Sequence, residues 1–153
     1  MKRFIVTTIL IAVIAGVLGH FMPRDFVEFL PEFGADAAVS IYCRETSLDA
    51  IDMGGGFKVQ CSSADYVDTV TYCKGIDGVS VSFNGTRQDV DELCQFFRLQ
   101  VSSVYEQDGL YIVCGSSPKV KGGVLDCGER VNLQIALSND IIHIGSPLIL
   151  GDY

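Results

Sequence analysis

The sequence predicts an α+β fold, a mostly antiparallel sheet covered on one face by two helices, and three observations carry that expectation. Val79, Val81 and Phe83 alternate with Ser80 and Ser82, and Val131, Leu133, Ile135 and Leu137 with Asn132, Gln134 and Ser138, the period of strands with one apolar face. Asp108-Gly109 and Asn139-Asp140 each separate two strand-like runs, as two-residue hairpin turns do when their residues tolerate positive φ. Val90, Leu93, Cys94 and Phe97 recur at helical spacing and mark a stripe that faces a core.

Taken in order, Ala38 to Glu45 alternates Val39, Ile41 and Cys43 with Ser40, Tyr42 and Arg44, a half-buried strand, and Phe57 to Ser62 follows the flexible Gly54-Gly55-Gly56 turn as a second. That triple glycine lacks a following Lys-Ser/Thr and leads into a strand, so it is no phosphate cradle. Ser62-Ser63-Ala64-Asp65 can cap a short helix carrying Tyr66, Val67, Val70 and Cys73 or Lys74, stopped at Gly75 or Gly78. Gly78 to Phe83 is the third strand. Asn84-Gly85-Thr86 ends it and fits a glycosylation sequon, but Thr86 also caps the second helix, whose Asp89 sits near the positive helix start. Val101 to Gln107 and Leu110 to Ser116 form one hairpin, Pro118 to Cys127 a connection, and Val131 to Ser138 with Ile141 to Leu148 a second hairpin. The expected order is ββαβαββββ. Solvated polar strand faces, including Ser80, Ser82, Asn132 and Gln134, are the expected recognition surface.

The chain has 153 residues, enough for one domain and a targeting segment. Lys2 and Arg3 precede an apolar run from Phe4 to Met22, which at roughly 1.5 Å per helical residue approaches the thickness of a hydrocarbon core. Positive charge before it, and Asp25, Glu28, Glu32 and Asp36 after it, orient the N-terminus inside and the rest outside. Residues 1–22 are expected to be a signal anchor, or a signal peptide cleaved near Val17-Leu18-Gly19, residues 23–37 a juxtamembrane linker, and residues 38–153 the domain. The phenylalanines of the linker, Phe26, Phe29 and Phe33, are expected to dock on that domain. The expected location is the cell membrane, single-pass with the domain outside, or secreted if cleavage occurs.

Setting Lys2 and Arg3 aside leaves nine scattered basic residues against 19 Asp and Glu. That field repels a polyanion, so no nucleic-acid partner is expected. Six cysteines, Cys43, Cys61, Cys73, Cys94, Cys114 and Cys127, form an even set in an exported domain. No two lie within five residues and no His accompanies them, which opposes a metal site; they are packing thiols or members of structural disulfides. Only His143 remains for general-base work beyond the apolar segment, and it alternates with Ile142 and Ile144 as an exposed strand residue. Asp89, Asp91 and Glu92 sit early in a helix, where they complement its dipole rather than form a paired-carboxylate site.

At the C-terminus, Val131-Asn132-Leu133-Gln134-Ile135-Ala136-Leu137, then Ile144-Gly145-Ser146-Pro147-Leu148-Ile149 and Gly151-Asp152-Tyr153, resembles the closing hairpin of the YwmB-like family. Members are small proteins of spore-forming Gram-positive bacteria with an N-terminal export segment, and the resemblance implies a fold similar to the TATA-box-binding protein over roughly residues 38 to 153. It implies no catalytic residues and no cofactor, and the six cysteines depart from it. The expected function is a nonenzymatic extracytoplasmic cell-envelope domain, attached to the membrane through residues 4–22, that binds an envelope protein or the cell wall. The alternative is a thiol-based redox sensor or thiol-dependent enzyme using the cysteines.

Overall fold

The computed structural model describes residues 22–149. The signal anchor expected over residues 1–22 therefore lies, except for Met22, outside the described residues. Among the described residues no helix is long and apolar enough to cross a membrane. A 3-10 helix spans Phe26–Phe33. Ten strands and two α-helices follow: β1 (Ala38–Thr46), β2 (Ile51–Asp52), β3 (Phe57–Ser62), α1 (Tyr66–Val70), β4 (Cys73–Asn84), α2 (Arg87–Phe96), β5 (Gln100–Gln107), β6 (Leu110–Ser116), β7 (Val124–Asp126), β8 (Glu129–Val131), β9 (Leu133–Ser138) and β10 (Ile141–Ser146).

Eight strands form one antiparallel sheet in the order β2-β3-β1-β4-β10-β9-β6-β5, and β7 and β8 pair as a separate hairpin. The register aligns an apolar row across five strands: Val39 faces Val81, Val81 faces Ile144, Ile144 faces Ile135, and Ile135 faces Val113. All five are buried in one cluster that also receives Phe26, Phe29 and Leu30 from the 3-10 helix, Val90 and Leu93 from α2, and Tyr66 and Val70 from α1. The helices therefore cover one face of the sheet, and the fold is α+β as expected.

Both predicted hairpin turns are present, with positive φ at Asp108, Gly109, Asn139 and Asp140. Thr86 caps α2: its N–H donates to Asp89 Oδ2 at 2.7 Å, and its hydroxyl reaches the same oxygen. Three elements differ from expectation. The first helix stops at Val70, and β4 begins at Cys73, which pairs with Thr46; the register between β1 and β4 shifts further along, between Tyr42 and Cys43, opposite Gly78 and Ile76. Val67 is 71% exposed, so no stripe holds a longer helix, and from Cys73 the chain pairs with β1 instead. The connection Pro118 to Cys127 contains β7, which turns into β8 through Cys127 and Gly128, both at positive φ.

Residues 23–37, expected as a linker, supply part of the core. Phe29 is fully buried, and its ring meets Phe97 edge-on at 5.1 Å and Phe96 at 6.2 Å. Arg24 N–H donates to the Lys119 carbonyl and Lys121 N–H to the Arg24 carbonyl, which ties the start of this segment to the loop after β6. Truncating Phe29 removes a large side chain from a site walled by strands and rings. The expected loss for Phe29→Ala is about 3–5 kcal/mol of unfolding free energy, measured by urea denaturation. A loss under about 1 kcal/mol would show that the segment is not part of the domain's core.

Candidate functional site

Two of the six cysteines, Cys43 and Cys73, are buried, Cys61, Cys94 and Cys114 are half-buried, and Cys127 is exposed; all are free thiols. Cys43 on β1 and Cys73 at the start of β4 are both buried in the core cluster, and Cys73 Sγ donates to the Thr69 carbonyl at 3.7 Å. Burial, then the Cys73 contact, pushes the Cys43 thiol up to about 11. Burial likewise raises Cys61, Cys94 and Cys114. A raised thiol holds little thiolate at neutral pH, the reverse of the environment that activates a catalytic or sensing cysteine. The register places Ile76 opposite Cys43 and Thr46 opposite Cys73, so the two cysteines are not directly paired across the ladder. Among the described residues, no group of three or more Cys, His, Asp or Glu side chains is placed to hold a metal ion.

The second face of the sheet carries the polar residues expected to be solvated. Ser80, Asn132 and Gln134 are instead buried, together with Ser40 and Tyr42. Each is engaged. Gln134 Oε1 accepts from the Ile149 N–H at 2.9 Å, so the segment after β10 is held across this face at Gly145, where a Cβ would meet Ile149. Asn132 accepts from Ser117 N–H and donates to the Ser117 and Val120 carbonyls. Tyr42 Oη lies 3.5 Å from Ser80 Oγ. These groups satisfy buried polar atoms and do not form an open recognition surface.

One pairing was not legible from spacing: Ser82 Oγ and His143 Nδ1, on neighbouring strands in direct register, share a 2.7 Å hydrogen bond whose donor depends on the imidazole tautomer. His143 is half-buried rather than exposed. Burial, and then the charge of Lys58, lower its pKa below the ordinary 6.5. A base that activates a serine gains from a neighbouring carboxylate that stabilises the imidazolium; here the neighbouring charge is positive and acts against protonation. The pair reads as cross-strand support at the sheet centre.

The surface left open is the sheet's last strand. All eight residues of β5 are exposed, with Val101 at 51%, Val104 at 57% and Tyr105 at 50%. Pairing with β6 occupies one edge, and no strand among the described residues pairs with the other. Sheet edges are ordinarily blunted by lysine, proline, a bulge or short length. The opposite end of this sheet has that protection, since β2 is two residues long. β5 has no Lys, Arg or Pro, its register irregularity falls between Val101 and Ser103, and its one charge, Glu106, is paired with Arg87 at 3.3 Å. From Ser103 to Gln107 it presents a regular, nearly neutral edge with Val104 on the helix side, opposite Val113, and Tyr105 on the other, opposite Ile112.

No protein-family model, curated protein or solved structure matches the chain.

Two measurements check these placements. Alkylation of the native protein followed by intact mass is expected to show one fast thiol, absent in Cys127→Ser, and five slow ones; a second fast thiol would mean that a buried cysteine is activated. Because the folded His143 value is lowered, its stability contribution is full above the unfolded value near 6.5 and is lost as pH falls through that region. The His143 imidazole should titrate below 6.5 by NMR, and His143→Gln should lose less stability than wild type between pH 7 and pH 5.5. A midpoint above 6.5 would reverse the assigned environment.

Proposed function

We propose that the chain is a nonenzymatic extracytoplasmic envelope domain, held at the membrane through residues 4–22, that binds another envelope protein by adding a strand of that protein to β5. The observation that carries this reading is the eight-residue edge, exposed on both faces and unguarded by charge. Its free N–H and C=O groups fit an extended backbone, and Val104 and Tyr105 offer side-chain contacts on opposite faces. A glycan strand lacks the alternating amide donors and acceptors that such an edge pairs with, which favours a polypeptide over wall glycan. The thiol-based alternative has less support, since the cysteines with resolved shifts are all raised. The resemblance to the YwmB-like family adds nothing to the choice of surface, because the residues that carry it begin at the end of β8, run through β9 and β10, and include none of β5.

Placing a photo-crosslinking side chain at Ser102 of the full-length chain in its own host tests the proposal. A discrete protein adduct is expected there, and none of the same mass from Leu125, which is 80% exposed on β7. Adding Val104→Lys should reduce the adduct about tenfold, the equivalent of roughly 1.4 kcal/mol. An adduct pattern identical from both positions, or unchanged by Val104→Lys, would defeat strand addition.

A further inference from the structure

Away from β5, on the helix-covered side, the 3-10 helix and α2 leave a groove of about 350 Å³ between them. Its apolar lining is Phe33, Phe83, Leu93 and Phe96, with the Phe33 and Phe83 rings stacked at 5.5 Å. Its polar lining is Glu32, Asp89 and Glu92, and among the described residues no basic side chain lines it. The carboxylates are fixed in place by neighbours. Asp89 accepts from Thr86, which also holds its carboxyl below the ordinary range; Glu92 accepts from the Gln88 amide at 3.0 Å; Glu32 meets Arg24 at 3.4 Å.

The adjoining surface shows what such an arrangement holds. Arg24 lies 4.1 Å over the Phe29 ring while its guanidinium contacts Glu32, and Lys119 lies 4.1 Å over the Phe96 ring. Each of these cations belongs to the chain itself and sits on an aromatic ring of the same cluster. At the groove itself Arg24 takes Glu32 and Lys119 takes Phe96, which leaves Glu92 beside Phe83 and Leu93 with a neutral partner, Gln88.

We propose that this groove binds an arginine or lysine side chain of a basic peptide, with the aliphatic stem on Phe83 and Leu93 and the charged head at Glu92, beside the Arg24–Glu32 pair. Attraction of a cation to a ring face rises as water is excluded, and carboxylates beside the ring add charge-assisted hydrogen bonds. The size suits one long side chain with its apolar neighbours rather than a folded surface. The net charge of −8 assists approach but is spread over the molecule, so selectivity rests on the rings and Glu92 at the groove. This site shares no residue with β5, and neither proposal requires the other.

The probe is a labelled peptide, acetyl-Leu-Arg-Leu-Arg-Leu-amide, titrated by anisotropy into the full-length protein in zwitterionic detergent, beside the same peptide with citrulline for arginine. Saturable binding of the arginine peptide is expected, at least tenfold tighter than the citrulline peptide and weakened by salt. Glu92→Gln and Phe83→Leu should each weaken it severalfold while thermal unfolding stays cooperative. Asp126→Asn, an acidic change on β7, and Val104→Lys should leave it unchanged. Equal binding of the citrulline peptide, or an equal loss in Asp126→Asn and Glu92→Gln, would overturn the proposal, the second by showing attraction to overall charge alone. Failure at β5 would appear as an unaltered crosslink in Val104→Lys and is read out separately.

Discussion

Everything in this fold follows from the need to cover one apolar face of an eight-stranded sheet with very little helix. The row Val39, Val81, Ile144, Ile135, Val113 crosses five strands, and leaving it in water would cost about 25 cal/mol for each Å² of apolar surface. α1 has five residues and α2 ten, too few to roof such a width. The 3-10 helix closes the gap with Phe26, Phe29 and Leu30, and Phe97 beyond α2 completes the ring cluster around Phe29. The cover ends before β5. Val101 and Val104 are exposed because no helix reaches them, so the shortage that recruits residues 26–33 into the core also leaves the last strand bare.

The other face is managed by hydrogen bonds rather than by bulk. Asn132 makes three bonds to the backbone of the β6–β7 connection, and Ser117 adds one to the Phe97 carbonyl, so a loop, the end of α2 and the start of β9 are fixed through two side chains. Gln134 does the same for the chain after β10. A buried amide is favourable only when its donors and acceptors are matched, and among the described residues no buried side-chain polar atom lacks a partner. This explains how Ser80, Asn132 and Gln134, which alternate like solvent-facing residues, come to lie inside.

Those residues also show where sequence reading stops. Turn chemistry is local, so Asp108-Gly109 and Asn139-Asp140 were legible, as was the Thr86 cap and the stripe on α2. Period-two patterning separates apolar from polar faces but does not say whether a polar face meets water or other polar groups. The 3-10 helix contains Pro31 inside eight residues and has no long helical period to find. β4 reaches back to Cys73 because β1 is there to pair with it, a contact between residues nearly thirty apart. The candidate surfaces were hidden for the same reason. Whether β5 is an edge depends on strand order, with β9 and β10 from the chain's end inserted between β6 and β4, and the groove joins residues 32–33 to residues 83–96.

The two surfaces differ in what they recognise, and the difference follows from which groups are left free. At β5 the unpaired groups are backbone amides and carbonyls, whose geometry selects an extended chain and tolerates many side chains. At the groove the exposed groups are ring faces beside Glu92 and Asp89, whose partners among the described residues are neutral, and such a site selects charge and is indifferent to backbone conformation. Neither surface is basic: β5 carries no Lys or Arg, and the charged side chains that line the groove are carboxylates.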